Sequence, residues 1–193
     1  MEQAGQRCPW CGEEEIYTRY HDEEWGVPEW DSRALWEKLI LDGFQAGLSW
    51  ITILKKRESF RAGFEGFEPA RIATWGEAEV TRLLADPGIV RHRGKIEATI
   101  RNARAYLAIE ERQGFADFLW SFQDGRVVQN RFHSIAEVPA QTPTSEAMSK
   151  ALKKAGFTFC GPTIVYAFMQ ATGMVNDHLV TCPAHDRVAP LAR

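Results

Sequence analysis

Two pairs of thiol and imidazole side chains sit at opposite ends of this 193-residue chain, Cys8 and His21 near the start, His178 and Cys182 near the finish. If one ion holds all four, the fold has to bring the two ends together, a tighter constraint than any local motif imposes. His178 and Cys182 are four positions apart, and on a helix they would share one face and grip a single ion. Thiolate with imidazole suits tetrahedral zinc, and four protein donors leave no open position for a substrate water. The residues alone leave rivals. Cys8-Pro9-Trp10-Cys11 is a Cys-x-x-Cys sequence, so Cys11 competes with Cys8, and His185 competes with His178. A redox dithiol would want a preceding strand in a βαβ setting. Here a short polar lead-in precedes the motif, and Gly12 with three glutamates follows it. Buried thiols and surface imidazoles with no ion are the plain alternative.

The apolar fraction of 45%, with seven Trp and eleven Phe, is ample for one aromatic core. No apolar run reaches membrane-spanning length and the opening residues lack the apolar stretch of a secretion signal, so a cytoplasmic protein with no membrane partner is expected. Four cysteines are too few for a disulfide scaffold at this size. The net charge of −3 gives no global support for nucleic-acid binding. The basic residues do cluster, in Arg91-His92-Arg93-Gly94-Lys95, at Arg101 and Arg104, and at Lys150, Lys153 and Lys154. Such a run reads either as a solvated face or as a DNA footprint.

The hydrophobic spacing predicts an all-α chain with one short extended exception at Val127-Val128. Asp31 or Ser32 caps a helix whose Leu35, Trp36, Leu39, Ile40 and Phe44 repeat at helical spacing, with Gly47 at its end. Further helices are expected from Ser49, at Pro69, over Glu77 to Ala85, Lys95 to Gln113 and Phe115 to Phe122. Ser145 to Ala155 and Pro162 to Gly173 make two more, joined by the short Phe157 to Gly161 hairpin. The backbone N–H groups of such a hairpin, with the helix start behind it, can hold a phosphate.

Two constellations carry chemistry. Tyr17, Tyr20 and His21 fall on one side of a helical turn, so a metal on His21 would fix both tyrosines beside it. Asp42 closes an apolar helix and Trp50 follows the glycine-marked turn Gly47-Leu48. A carboxylate among aromatics is a poor place for a lone charge, unless a ligand brings a cation or an amine.

Several long strings, in order, resemble the 3-methyladenine DNA glycosylase I family. They are Tyr20-His21-Asp22-Glu23-Glu24-Trp25-Gly26-Val27-Pro28, Gln45-Ala46-Gly47-Leu48-Ser49-Trp50, Gly88 to Ile96, Phe157 to Gln170, and Val175-Asn176-Asp177-His178. The resemblance runs from about Cys8 to Cys182. It implies a helix-hairpin-helix glycosylase fold, with one structural Zn2+ on Cys8, His21, His178 and Cys182 joining the termini. Cys8 is preferred to Cys11 because the family's early Cys lies two residues before a Trp. One unit over 1–193 is then expected, with a helical core at about 31–140, the helix-hairpin-helix at about 145–173, and the staple of 8–21 with 178–182. The implied partner is alkylated double-stranded DNA, met by a monomer that hydrolyses the glycosidic bond of flipped-out 3-methyladenine without strand cleavage. A zinc-stapled module that binds alkylated DNA without turnover is the alternative.

By the same resemblance Trp10, Tyr17, Tyr20, Asp42 and Trp50 would surround the base, with Asp42, Tyr20 and Trp50 in the catalytic set. Gly47 and Leu48 would fill the gap left by the extruded nucleotide, and Gly161 and Thr163 would hold the DNA backbone. The family usually has Glu where this chain has Asp42, which pulls the carboxylate back by about one C–C bond, roughly 1.5 Å. Related glycosylases carry a catalytic Asp where this chain has Asn176, with Asp177 one residue off, so no carboxylate is expected to activate water there.

Overall fold

The structure, a computed structural model, describes residues 5–191, so the outermost residues of the 1–193 unit lie outside it. The helices run α1 (Glu15–Glu23), α2 (Ser32–Gln45), α3 (Trp50–Gly63), α4 (Pro69–Ile72), α5 (Glu77–Leu84), α6 (Arg93–Gln113), α7 (Phe115–Trp120), α8 (Pro143–Lys154), α9 (Pro162–Ala171) and α10 (Pro183–Val188). Asp31 caps α2 as its side chain accepts from Ala34 N at 2.8 Å. Thr142 caps α8 through Ser145 N, with Pro143 at the first position, where a missing N–H is no loss.

Helix α2 runs through the middle, packed on by α3, α6, α7 and α9. Its apolar positions Leu35, Trp36, Leu39, Ile40 and Phe44 are all buried, as their spacing predicts. Around them lies a lattice of rings, with Phe44 5.7 Å from Phe64, Phe64 stacked on Phe67 at 5.4 Å, and Trp36 5.4 Å from Tyr106. Burying Phe side chains of this kind contributes about 1.5–3 kcal/mol each.

The short extended exception expected at Val127-Val128 is present one residue on, and it has a partner that the spacing does not reveal. Val128–Gln129 (β1) and Val175–Asn176 (β2) form a parallel pair, Val128 opposite Val175 and Gln129 opposite Asn176. Parallel strands need a long crossover, and here α8 and α9 supply it. The pairing continues where Val180 N donates to Phe132 O at 3.0 Å. The segment bearing His178 is thereby fixed against the middle of the chain.

Gly173 makes a close approach possible. Its φ is +67°, and a Cβ there would lie 2.4 Å from Pro28 N. Segment 26–29 can therefore lie on the end of α9, with Gly26 N donating to Ala171 O at 3.3 Å and Glu29 N to Thr172 O at 3.0 Å. A small apolar cluster of Cys8, Leu179, Cys182 and Ala184, with Trp10 and Phe132 against it, joins the two ends.

Candidate active site and metal centre

The four donors implied by the sequence meet. Cys8, His21, His178 and Cys182 are all buried, and their ligand atoms lie within 4.8 Å of one another. Cys8 Sγ is 3.6 Å from His178 Nδ1, and Cys182 Sγ is 3.6 Å from His21 Nε2 and 3.9 Å from His178 Nδ1. Such edges suit a tetrahedron with bonds of about 2.0–2.3 Å to nitrogen and sulfur. The outer ring nitrogens are engaged. His21 Nδ1 faces Asp22 Oδ1 at 2.8 Å, and His178 Nε2 faces the Trp25 carbonyl at 2.9 Å. Two acceptors there require both outer nitrogens to carry the proton, which leaves the inner nitrogens as bare lone pairs. These residues could hold a metal ion.

The geometry separates the rivals. Cys11 Sγ donates to the Cys8 carbonyl at 3.2 Å, and burial pushes its thiol up, opposite to the lowered value of a redox nucleophile. His185 Nε2 faces Asn130 O at 2.9 Å and its Nδ1 faces Asp186, away from the cluster. The helical reading of His178 and Cys182 is corrected. His178 lies in a turn after β2, and Cys182 is the N-cap of α10. A tight turn, with Cys182 N donating to Leu179 O at 2.8 Å, supplies the reach that a helix face was expected to give.

Beside the cluster, α1 turns Tyr17 and Tyr20 toward α2 and α3. A cavity of about 260 Å³ opens there, lined by all five residues expected to surround a base: Trp10, Tyr17, Tyr20, Asp42 and Trp50. It lies just below the usual range of about 300–1,000 Å³ for small-molecule sites and so suits one flat ring system. Trp10 is 5.2 Å from Tyr17, 4.9 Å from Trp25 and 5.3 Å from His21, while Tyr20 is 5.4 Å from Trp50. One side chain thus touches both the donor cluster and the pocket.

Asp42 is 1% exposed. Its Oδ1 accepts from Lys38 Nζ at 2.5 Å, and its Oδ2 is buried with no partner among the described residues. Burial raises its pKa against the pull of Lys38, and burial likewise lowers that of Lys38. The indole Nε1 atoms of Trp10 and Trp50 are also buried and unpartnered. Orphaned polar atoms around one cavity are what a bound polar ring would satisfy.

The sequence reading missed Trp25, Lys38, Gln45, Gln170 and Asp177, which also line the cavity. Lys38 was legible as the residue one helical turn before Asp42. Asp177, one residue off the register of the related enzymes' catalytic Asp, faces the pocket all the same. Its carboxylate accepts from Asn130 Nδ2 at 2.6 Å, Tyr166 Oη at 2.6 Å and Gln170 Nε2 at 2.9 Å. Asn176 is turned to Gln129 Oε1 and His185 O, at 2.8 and 3.0 Å.

The loop after α2 carries Gly47, at φ +82°, and Leu48, 43% exposed. Lys95 Nζ donates to Phe44 O at 2.9 Å and Ala46 O at 2.6 Å, satisfying carbonyls at the end of α2 and anchoring this loop. The basic run is therefore partly consumed by the fold. Lys95 is buried, Arg93 pairs with Glu77 and Glu97, and Arg104 donates to Ala73 O. Between α8 and α9, Asn102 holds Thr158 through both its N–H and its carbonyl, at 2.9 and 3.1 Å. Gly161 is the N-cap of α9, and Thr163 is exposed in its first turn.

Comparison with known proteins agrees with this geometry. The family model described as methyladenine glycosylase matches residues 10–185. DNA-3-methyladenine glycosylase 1 of Escherichia coli is 53% identical over 178 residues, covering 92% of this chain and 95% of that protein. A crystal structure of a 3-methyladenine DNA glycosylase I superposes with a TM-score of 0.91 at 56% identity, over 92% of this chain and 98% of the other. A variant of such an enzyme solved in complex with 3-methyladenine superposes with a TM-score of 0.90 at 38% identity, over 93% and 97% of the two chains.

Proposed function

This chain belongs to the methyladenine glycosylase family, and on that premise we propose how its own residues carry out the excision. It is a base-excision repair glycosylase acting on 3-methyladenine. One observation carries the residue assignment, the cavity walled by Trp10, Tyr17, Tyr20 and Trp50, with the buried, half-partnered carboxylate of Asp42 at its edge.

Methylation at N3 leaves the base cationic while still attached to the sugar, so the leaving group needs little protonation. The nucleotide leaves the duplex, at a cost of a few kcal/mol of stacking and pairing, and Leu48 fills the space with Gly47 allowing the turn. The flat cation stacks on the aromatic faces, each good face contributing about 0.5–2 kcal/mol. Asp42 Oδ2 accepts from the exocyclic amine and favours cationic over normal adenine. The bond between N9 and C1′ breaks with its electron pair going to N9, which discharges the base. Water adds to C1′ and loses a proton to solvent. Tyr20 and Trp50 keep the pocket dry and Asp42 supports the charge; Asp177 is engaged by three donors and holds the wall in place, and no carboxylate activates the water. The Gly161 to Thr163 helix start holds a backbone phosphate, so the partner is alkylated duplex DNA, met in the cytoplasm by a monomer.

Zinc is the ion that the Cys2His2 donor set fits best, and bound there it would fix the four donors in place without touching the substrate. Methylated duplex DNA incubated with the protein should release free 3-methyladenine and leave abasic sites uncut until alkali is added. Tight binding with no base released would instead make this a zinc-stapled binding module. Strand scission without alkali would refute the monofunctional reading.

A further inference from the structure

Lys38 Nζ makes the two contacts that a bound cationic base would make. It lies 2.5 Å from Asp42 Oδ1 and 3.8 Å from the centroid of the Trp50 ring. Its side chain is only 17% exposed and lies in the wall of the pocket. A ring stacked on that face of Trp50 would need the space that Nζ now fills. Burial lowers the pKa of this amine while Asp42 opposes the shift, so the charge is held by its partner rather than by water.

Lys38 also has somewhere to go. A second cavity, of about 310 Å³, adjoins the first and shares Tyr20, Lys38, Trp50 and Ala171 with it. Its walls carry four carboxylates, Glu23, Glu24, Glu29 and Glu37, against two guanidinium groups, Arg57 and Arg61. Glu24 is engaged by Arg57 and Glu37 by Arg61, whereas Glu23 is exposed and has no such pairing among the described residues. A flexible four-carbon stem can carry the ammonium from one cavity to the other by rotamer changes alone.

We propose that Lys38 is a specificity-determining residue, an internal cation that holds the place of the methylated base and yields it by withdrawing into the adjoining cavity. The proposal rests on the base pocket assigned above. A cationic base replaces one positive charge with another beside Asp42. Normal adenine, being neutral, would strip Asp42 of its buried counter-ion and leave the carboxylate unpaired, the expensive outcome for a buried pair.

The direct test is a structure of the wild-type protein soaked with 3,9-dimethyladeninium, a permanent cation that mimics the base with its glycosidic nitrogen blocked. The ring should stack on Trp50, with Lys38 Nζ withdrawn from that face. Absence of the ring from the cavity would overturn the pocket assignment itself. A ring in place with Lys38 unmoved would overturn only the placeholder role. In solution, Lys38→Met should lower the Kd for the same cation about 2–30-fold, the range of one cation–π contact, and lower KM for alkylated DNA more than it changes kcat. Weaker or unchanged binding would make Lys38 a reader of the base edge or a bystander. If the variant does not fold, the soaked wild-type structure still decides.

Discussion

The carbonyl of Trp25 accepts from His178 Nε2 at 2.9 Å, and the Trp25 indole stands edge-on to the same imidazole at 4.7 Å while lining the base pocket. Trp25 is therefore a direct link between the donor cluster and the cavity, parallel to the contact of Trp10 with His21. Rigidity at one end fixes ring positions at the other.

Removing the proposed metal should therefore loosen the pocket before it unfolds the helical core. We expect chelation to abolish excision, to shift tryptophan fluorescence to the red, and to lower Tm by about 10–20 °C, which corresponds to roughly 5 kcal/mol at this size. Cys182, whose thiol is held well below its ordinary value by Cys8 and the two imidazoles, should become reactive to a thiol reagent, while Cys160, buried with its thiol pushed up to about 11, stays inert. Full activity in folded, metal-free protein would rule out the coupling.

Replacing Asp42 by Asn removes the charge that neutralises a cationic base. Hydrogen bonds to charged groups contribute about 1.5–3 kcal/mol, so kcat/KM should fall roughly 10–150-fold. Single-turnover excision from methylated DNA measures it.

The pH dependence follows from the same carboxylate. Burial raises the pKa of Asp42 above its ordinary 3.8 in the fold, so the folded protein takes up this proton at higher pH than the unfolded chain does. Excision should fall as pH drops through that raised value, and Asp42→Asn should lack this limb. For stability the sign is reversed. The ionised carboxylate is the less favoured form in the fold, so stability associated with Asp42 is present below pH 3.8 and lost as pH rises through the folded value. Replacing both partners by apolar residues, Lys38→Met with Asp42→Leu, should accordingly be neutral or stabilising at pH 7, by up to about 4 kcal/mol, while base binding is lost. Thermal melts beside base titrations check both halves.

Leu48→Ala should leave stability within about 0.5 kcal/mol, since the side chain is 43% exposed. Excision from duplex DNA should drop while binding of the free base does not. Equal loss of both would remove Leu48 from the role of wedge.

Asp177→Asn should cost about 1–3 kcal/mol of stability, because three donors converge on that carboxylate. Excision should stay within about tenfold of wild type. Near-total loss in a folded, metal-loaded variant would assign Asp177 the activation of water.

The helical core was legible because α2, α6, α8 and α9 are long enough for apolar spacing to repeat. The extended character of β1 was legible within a residue, but β2 and the pairing were not, since two residues per strand hold no period and their partnership spans a crossover. The donor set was recoverable from residue type and resemblance, but its local geometry was not, because a turn can deliver a spacing of four as well as a helix does. Lys95 looked like part of a surface charge run. Only its packing against the carbonyls of α2 shows that it holds the Gly47-Leu48 loop. The pocket's acidic edge was visible in Asp42, and its counter-ion Lys38 could be read only as a residue one turn earlier on the same helix, its burial and its place over Trp50 coming from packing.

The distance along the chain between the two halves of the donor cluster also sets an order of events during synthesis. Cys8 and His178 are 170 positions apart, and translation proceeds at about 5–20 residues per second, so the first thiol waits roughly 10–30 s for its partners. A nascent or prematurely terminated chain carries Trp10, Tyr17 and Tyr20 but lacks what seats them against the pocket. Such a fragment should offer an alkylated strand only half a grip, the pocket being completed once the Leu179 to Cys182 turn has been made.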